Sequence, residues 1–307
     1  MSSTKTVIII AGPTAVGKTS VAIELAKQFH TEIISADSRQ CFRELNIGVA
    51  RPLEKELQMV KHHFIASHSI CDNISAGTFE QFALQTARDL FQKHDVVIMT
   101  GGTGLYIKAF CEGLDKIPEV ADETRQAVIS GYEKNGLTWL QNEIQKKDPA
   151  FYEVGEIQNP QRLMRALEVM EATGKSILEF RNNKKEKRDF NIIKIGLELH
   201  KEELHRNINA RVDKMIEAGL VEEVKNLLAY KNLNALQTVG YAEIFDYLDN
   251  KTTLVEAIEL IRKNTRQYAK RQMTWFKKDK EMKWFSPYEV SKIKRALDDS
   301  ASSPQGS

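Results

Sequence analysis

Gly12-Pro13-Thr14-Ala15-Val16-Gly17-Lys18-Thr19 spells G-x-x-x-x-G-K-[ST] directly after a short apolar run. After a strand and before a helix, that spacing is a phosphate cradle. The glycines let the backbone curl so that several N–H groups converge on phosphate oxygens. Lys18 adds a point charge, the helix N-terminus adds its dipole, and the Thr19 hydroxyl is placed to ligate Mg2+. By motif this is also an ATP-binding sequence: it points to a diphosphate or a triphosphate without saying which.

Kinases and nucleotide hydrolases built on this loop carry a further carboxylate that organises magnesium and the nucleophile. Residues 96–99 form an apolar run that leads into Thr100-Gly101-Gly102-Thr103-Gly104, which contains no acid. The acid is Asp37, which follows Ile33-Ile34. An aspartate there can accept a proton from a hydroxyl or an amine, so these residues alone leave small-molecule kinase chemistry open.

The elements that must position these groups are legible around them. Residues 7–11 are a β-branched run suited to a strand buried on both faces. Val21, Ala22, Leu25, Ala26 and Phe29 then share one helical face. Residues 32–37 and 95–99 read as further strands, and strand, loop, helix, strand in this order predicts a doubly wound α/β core with chemistry at the carboxyl ends of the strands. From about residue 115 the strand signals give way to helical stretches. Ile193, Ile195, Leu197 and Leu199 then alternate as a strand. Leu204, Ile208, Val212 and Met215 predict the next helix, stopped near Gly219, and a long helix is expected over 254–276. The domain reading is a core of residues 1–115 and 191–300, a helical insertion of 116–190, and a disordered tail of 301–307.

The 307 residues are 42% hydrophobic and 28% charged, enough apolar material for a substantial core, and the net charge is +2. Nucleic acid would therefore have to meet basic residues gathered on one face. Residues 251–280 hold nine Lys or Arg against three Asp or Glu, with Arg262, Arg266 and Lys270 at four-residue spacing. The run from Arg181 to Arg188 is a second basic region. Both are expected to contact nucleic acid. Cys41, Cys71 and Cys111 include no Cys-x-x-Cys pair, which predicts a reducing, cytoplasmic setting without disulfides. The run at 7–11 is too short to span a bilayer and no signal-peptide cleavage pattern follows it, so no membrane association is expected.

Six segments occur in order: the phosphate loop; Ser35-Ala36-Asp37-Ser38-Arg39-Gln40; Asn46-Ile47-Gly48-Val49-Ala50-Arg51-Pro52; Gly101-Gly102-Thr103-Gly104-Leu105-Tyr106; Asn159-Pro160-Gln161-Arg162-Leu163-Met164-Arg165-Ala166-Leu167-Glu168; and Thr265-Arg266-Gln267-Tyr268-Ala269-Lys270-Arg271-Gln272. Together they closely resemble the tRNA dimethylallyltransferase (isopentenyltransferase) family of bacterial type, over most of the chain. The resemblance implies a P-loop NTPase-like α/β core with a parallel sheet, and a helical insertion domain that clasps the tRNA anticodon stem-loop. It implies that residues 12–19 hold the diphosphate of dimethylallyl diphosphate, with Mg2+, and that the dimethylallyl group goes to N6 of adenine 37 beside the anticodon. Asp37 matches the general base, Thr103 a threonine near the reacting centre, and Arg211 an arginine that with Lys18 holds the diphosphate. Asp37, Ser38, Arg39, Gln40 and Thr103, and in the insertion Arg125, Gln161, Arg162, Leu163, Met164 and Arg165, match tRNA-contacting positions. The family motif usually has aspartate where this chain has Asn159, a helix-capping position that asparagine serves nearly as well. A monomer is expected.

The His62, His63 and His68 cluster lacks carboxylates and cysteines at ligand spacing and is not read as a zinc site. Trp139, Trp275 and Trp284 read as packing residues, with Trp275 beside the basic helix the one that could also stack on a base. The competing readings are a transferase acting on free adenine nucleotides, a P-loop kinase, and a nucleotide-dependent RNA-binding regulator. The first needs neither the insertion nor the basic helix, and the last needs neither Asp37 nor Thr103.

Overall fold

A computed structural model describes residues 5–182 and 184–302. Among the described residues six strands form one sheet: β1 (Thr6–Ala11), β2 (Ile33–Ser35), β3 (His62–His63), β4 (Val96–Gly101), β5 (Asn191–Leu197) and β6 (Lys283–Phe285), in the order β3-β2-β4-β1-β5-β6 and parallel throughout. The helices are α1 (Lys18–Gln28), α2 (Glu54–Met59), α3 (Ala76–Phe91), α4 (Gly104–Glu112), α5 (Asp122–Lys147), α6 (Pro149–Val154), α7 (Pro160–Thr173), α8 (Lys201–Glu217), α9 (Leu220–Asn226), α10 (Tyr241–Leu248), α11 (Leu254–Phe276) and α12 (Val290–Ser302).

The isoleucine-rich β1 lies between β4 and β5, and residues 7–11 are fully buried. A strand covered on both faces must be apolar at every position. Val7, Ile9 and Ala11 face a core layer shared with α3, α4, α9 and α10, while Ile8 and Ile10 face one shared with α1 and α12. Register aligns the functional ends: Ala11 pairs with Gly101 and Gly196, and Ser35 pairs with Thr100. The loops after β1, β2 and β4 therefore leave the sheet side by side.

The chain divides into two compact units, Met1–Cys111 with Lys187–Ser307, and Glu112–Glu186. The second is helical, with a core that includes Val128, Leu140, Ile144, Phe151, Leu163 and Leu167. Gly136, at positive φ, interrupts α5. Asn159 caps α7 by accepting from the Arg162 N–H at 3.3 Å, as expected of asparagine there.

Two strands escaped the sequence. β3 is two residues long, and β6 carries only Lys283, Trp284 and Phe285. β2 is shorter than the 32–37 run expected. Ala301 and Ser302 end α12 instead of starting a tail, and the remainder of the expected tail, 303–307, lies outside the described residues. Among the described residues no helix is long and apolar enough to cross a membrane.

Candidate active site

The glycine loop departs β1 with backbone angles that few side chains tolerate. Gly12 has φ 150°, Gly17 has φ 100° as the N-cap of α1, and Ala15, a non-glycine residue, has φ 65°. A Cβ on Gly12 would lie 2.7 Å from the Leu197 carbonyl oxygen, so the loop can turn here only without one. Three side chains from distant helices brace it. Arg211 of α8 donates to Thr14 Oγ1 at 3.1 Å, Asn207 of α8 donates to the Ala15 carbonyl at 3.4 Å, and Gln272 of α11 accepts from the Thr14 N–H at 2.8 Å. Lys18 Nζ donates to the Pro13 carbonyl at 2.8 Å.

Asp37 follows β2. Its Oδ1 accepts from the Arg39 N–H at 2.9 Å and the Gln40 N–H at 3.2 Å, which fixes the carboxylate and leaves Oδ2 as the oxygen able to take a proton. Thr103, after β4, accepts at Oγ1 from the Ser38 N–H at 3.0 Å and donates to Ser38 Oγ at 3.3 Å. The Thr103 N–H donates to the Ala36 carbonyl at 3.2 Å. Asp37 and Thr103, 66 positions apart in sequence, are thus held in one loop pair.

Electrostatics follow from burial. Burial pushes Lys18 down to about 7, the Arg211 charge adds to this, and Asp37 opposes it. Arg211 and Arg39 are likewise lowered by burial and opposed by Asp37. Three half-buried cations around one carboxylate favour a multiply charged anion. Among the described residues no group of three or more His, Cys, Asp or Glu could hold a metal ion. The half-buried Thr19 hydroxyl, second residue of α1, suits magnesium in its other mode, in which protein supplies one or two oxygens and phosphates and water supply the rest.

The segment of residues 38–52 is held from within and without. Gln40 Nε2 donates to the Val49 and Ala50 carbonyls at 3.1 and 3.0 Å, and Arg51 Nη2 donates to those of Phe42, Arg43 and Leu45. Glu223 of α9 accepts from the N–H groups of Asn46, Ile47 and Gly48 at 3.2, 2.8 and 3.0 Å, and from the Tyr241 hydroxyl at 2.7 Å. Gln40 is thus a loop brace. Gln272 and Glu223 had a legible sign that went unused: a polar side chain on an otherwise apolar helical face, as Gln272 is among Ala257, Ile261, Ala269 and Phe276.

In the helical unit, Arg125 and Arg165 both reach the buried carboxylate of Glu168, at 3.8 and 3.2 Å, and Arg162 pairs with Glu156 at 2.7 Å. Gln161 is exposed. Leu163 and Met164 are 0% and 7% exposed in the unit's core, so their side chains leave the set of expected RNA contacts: the same burial that stabilises the helix hides them.

Part of both basic regions is engaged within the protein. Arg262 pairs with Asp213 and Glu259, and Arg266 donates to Asn209 at 2.8 Å, so both arginines tie α11 to α8. The solvent-facing basic residues of α11 are Lys263, Lys270 and Arg271, with the Arg271 guanidinium 5.8 Å from the centre of the Tyr268 ring. Arg188 latches onto the carbonyls of Ala109 and Phe110 and onto Glu80, all at 2.7–2.8 Å. Asn183, within the same run, lies outside the described residues. His62 Nδ1 meets the Val60 carbonyl at 2.8 Å while its Nε2 is buried without a partner, and His63 meets Glu32 at 2.5 Å. The Trp275 indole lies against Gly104, where a Cβ would come within 2.2 Å of it.

Comparison with known proteins gives one consistent result. Residues 40–279 match the family model described as IPP transferase. A tRNA dimethylallyltransferase of Christiangramia forsetii is 51% identical over 93% of this chain and 94% of its own. One from Bacteroides thetaiotaomicron is 46% identical, over 94% of each. Among solved structures, the full-length tRNA isopentenylpyrophosphate transferase of Bacillus halodurans superposes with a TM-score of 0.72 at 31% identity, over 97% of each chain. A eukaryotic dimethylallyltransferase acting on tRNA gives 0.71 at 28% identity, over 88% of this chain and 69% of that one.

Proposed function

The chain belongs to the IPP transferase family, and on that premise we propose that its glycine loop holds dimethylallyl diphosphate while Asp37 serves the acceptor amine. It is a transferase that moves a dimethylallyl group to tRNA on a P-loop NTPase-like fold. The observation that carries the finer reading is the set of half-buried cations, Lys18, Arg39 and Arg211, coupled to a single fixed carboxylate at the ends of parallel strands.

In the reaction the allylic C–O bond breaks and its electron pair leaves with the diphosphate. Lys18, Arg211 and the loop N–H groups receive that charge in a site prepared beforehand, where donors cost no reorganisation. Magnesium, when bound with Thr19 among its ligands, supplies further neutralisation of the leaving group. The new bond forms from N6 of adenine 37, a poor nucleophile whose lone pair is delocalised, and the N6 proton goes to Asp37 Oδ2. Thr103 holds Ser38, and with it the Asp37 loop, in register. Unstacking the adenine costs roughly a few kcal/mol, which phosphate contacts must offset. Arg125, Gln161, Arg162 and Arg165 are the side chains of the helical unit we assign to those contacts. A cytoplasmic monomer is the form proposed.

The test is transfer of label from dimethylallyl diphosphate with magnesium to unmodified tRNA, with AMP and ATP as competing acceptors. Label in tRNA alone supports the proposal. Label in a free nucleotide, or phosphate transfer from ATP instead, would overturn it.

A further inference from the structure

Resting on the transferase reading, we propose that Gln272 is a positioning residue that sets the distance between the diphosphate cradle and the proton acceptor. Gln272 is 6% exposed, and both ends of its amide are used. Oε1 accepts from the Thr14 N–H at 2.8 Å, inside the phosphate loop, and Nε2 donates to the Gly102 carbonyl at 2.8 Å. Gly102 belongs to the turn after β4, and a Cβ there would lie 2.2 Å from Nε2. Glycine at 102 is what lets the amide enter.

From Gly102 the linkage continues without a flexible side chain. Thr103 is next in sequence, its N–H binds the Ala36 carbonyl and its hydroxyl binds the Ser38 N–H, at 3.2 and 3.0 Å. Asp37 lies between those two residues. Gln272 is itself fixed, because the face of α11 that carries it is packed in the core through Ala269 and Phe276. One amide thus spaces the loop that grips the leaving group from the loop that carries the base. Packing alone asks for no amide at this position, since an apolar side chain of similar length fills the same volume.

The function of this spacing is partition. As the allylic C–O bond breaks, the electron-poor carbon can be captured by N6 of adenine or by water. Capture by water yields dimethylallyl alcohol and diphosphate and releases the water's proton to solvent. Correct spacing favours nitrogen, because a displacement near 1 Å at reacting atoms costs on the order of 10² in rate.

The experiment compares wild type with Gln272→Met and Gly102→Ala in the full chain. The readout is the ratio of dimethylallyl alcohol released to tRNA alkylated, together with kcat and KM for both substrates. The ratio refers to turnovers, so it does not depend on how much of a variant is folded. The expected result is a ratio raised about tenfold or more in both variants and a transfer kcat lowered about 10²-fold. KM for dimethylallyl diphosphate should stay within about threefold, since the phosphate contacts remain. An unchanged ratio in Gln272→Met would overturn the proposal whatever happens to kcat, as would loss of both reactions together in both variants. Wild type that alkylated no tRNA would instead refute the underlying transferase reading.

Discussion

Replacing Gly101 by alanine puts a methyl group where the structure has none to spare. Gly101 ends β4, and an ideal Cβ there would lie 2.1 Å from the Ala36 carbonyl oxygen and 2.4 Å from its carbon. Contacts below 3.0 Å essentially never occur, so the ends of β2 and β4 must separate by roughly 1 Å. Neither end is free to move alone: the Ala36 N–H binds the Thr100 carbonyl at 2.7 Å, and its carbonyl receives the Thr103 N–H at 3.2 Å. Asp37 is the residue after Ala36, so the displacement falls directly on the proposed base and on Thr103. A shift of that size predicts a fall in kcat on the order of 10²-fold. Overpacking should cost about 1–3 kcal/mol of stability, which lowers Tm by several degrees in a chain of this size. The cradle stems from β1 and α1, so pyrophosphate affinity should change by less than about threefold. Single-turnover transfer with both substrates saturating, a pyrophosphate titration and a thermal melt measure the three quantities. A kcat within about threefold of wild type, in a protein whose Tm has fallen, would refute the reasoning. The contact would then have been relieved without moving Asp37.

Asp37→Ala removes the proposed proton acceptor and should lower kcat by about 10²–10⁴, with near-normal turnover in a saturated transfer assay excluding that role. Lys18 titrates near 7 in the free protein, so anion binding at pH 8, which favours the ammonium, should take up close to one proton more in wild type than in Lys18→Arg. Calorimetry of pyrophosphate binding in buffers of different ionisation enthalpy reads that difference, and equal uptake in both proteins would contradict the assignment. The same downward shift means that burying the charged ammonium opposes folding fully below pH 7, a penalty that fades as pH rises toward lysine's ordinary value. Lys18→Met should therefore raise the Tm of the free protein most on the acid side. Arg262→Ala should cost about 1 kcal/mol in a denaturant melt, through its lost ion pairs on α8 and within α11, and leave the salt slope of tRNA binding unchanged. Replacing Lys263, Lys270 and Arg271 together should flatten that slope.

The sheet was legible where one strand is apolar at every position, as in residues 7–11, because burial on both faces leaves an unbroken run. The two-residue β3 and the mixed Lys283-Trp284-Phe285 of β6 leave no such trace, since edge strands take their conformation from a neighbour. The phosphate loop and the carboxylate of Asp37 could be read as candidates from residue type and spacing, whereas Thr103 and Arg211 entered only through the family pattern. Which way a helical residue faces was harder. Arg262, Arg266 and Lys270 share a stripe by spacing alone, yet the partners Asp213 and Asn209 that claim the first two sit on α8, some fifty positions away. Leu163 and Met164 illustrate the converse, where a contact motif includes residues whose own work is packing. Gln272 and Glu223 stand out as polar residues on apolar helical faces, but most of their partners are backbone N–H and carbonyl groups, so the sequence does not show what they bind.

The most direct test of the central claim uses two anticodon stem-loops that differ only at position 37, adenine in one and guanine in the other, incubated with the purified protein, labelled dimethylallyl diphosphate and magnesium. Digestion to nucleosides should yield the label as N6-(dimethylallyl)adenosine from the first and none from the second, with the signal abolished to about 1% or less in Asp37→Ala. Equal labelling of both stem-loops, or of neither while wild type consumes ATP, would contradict the account.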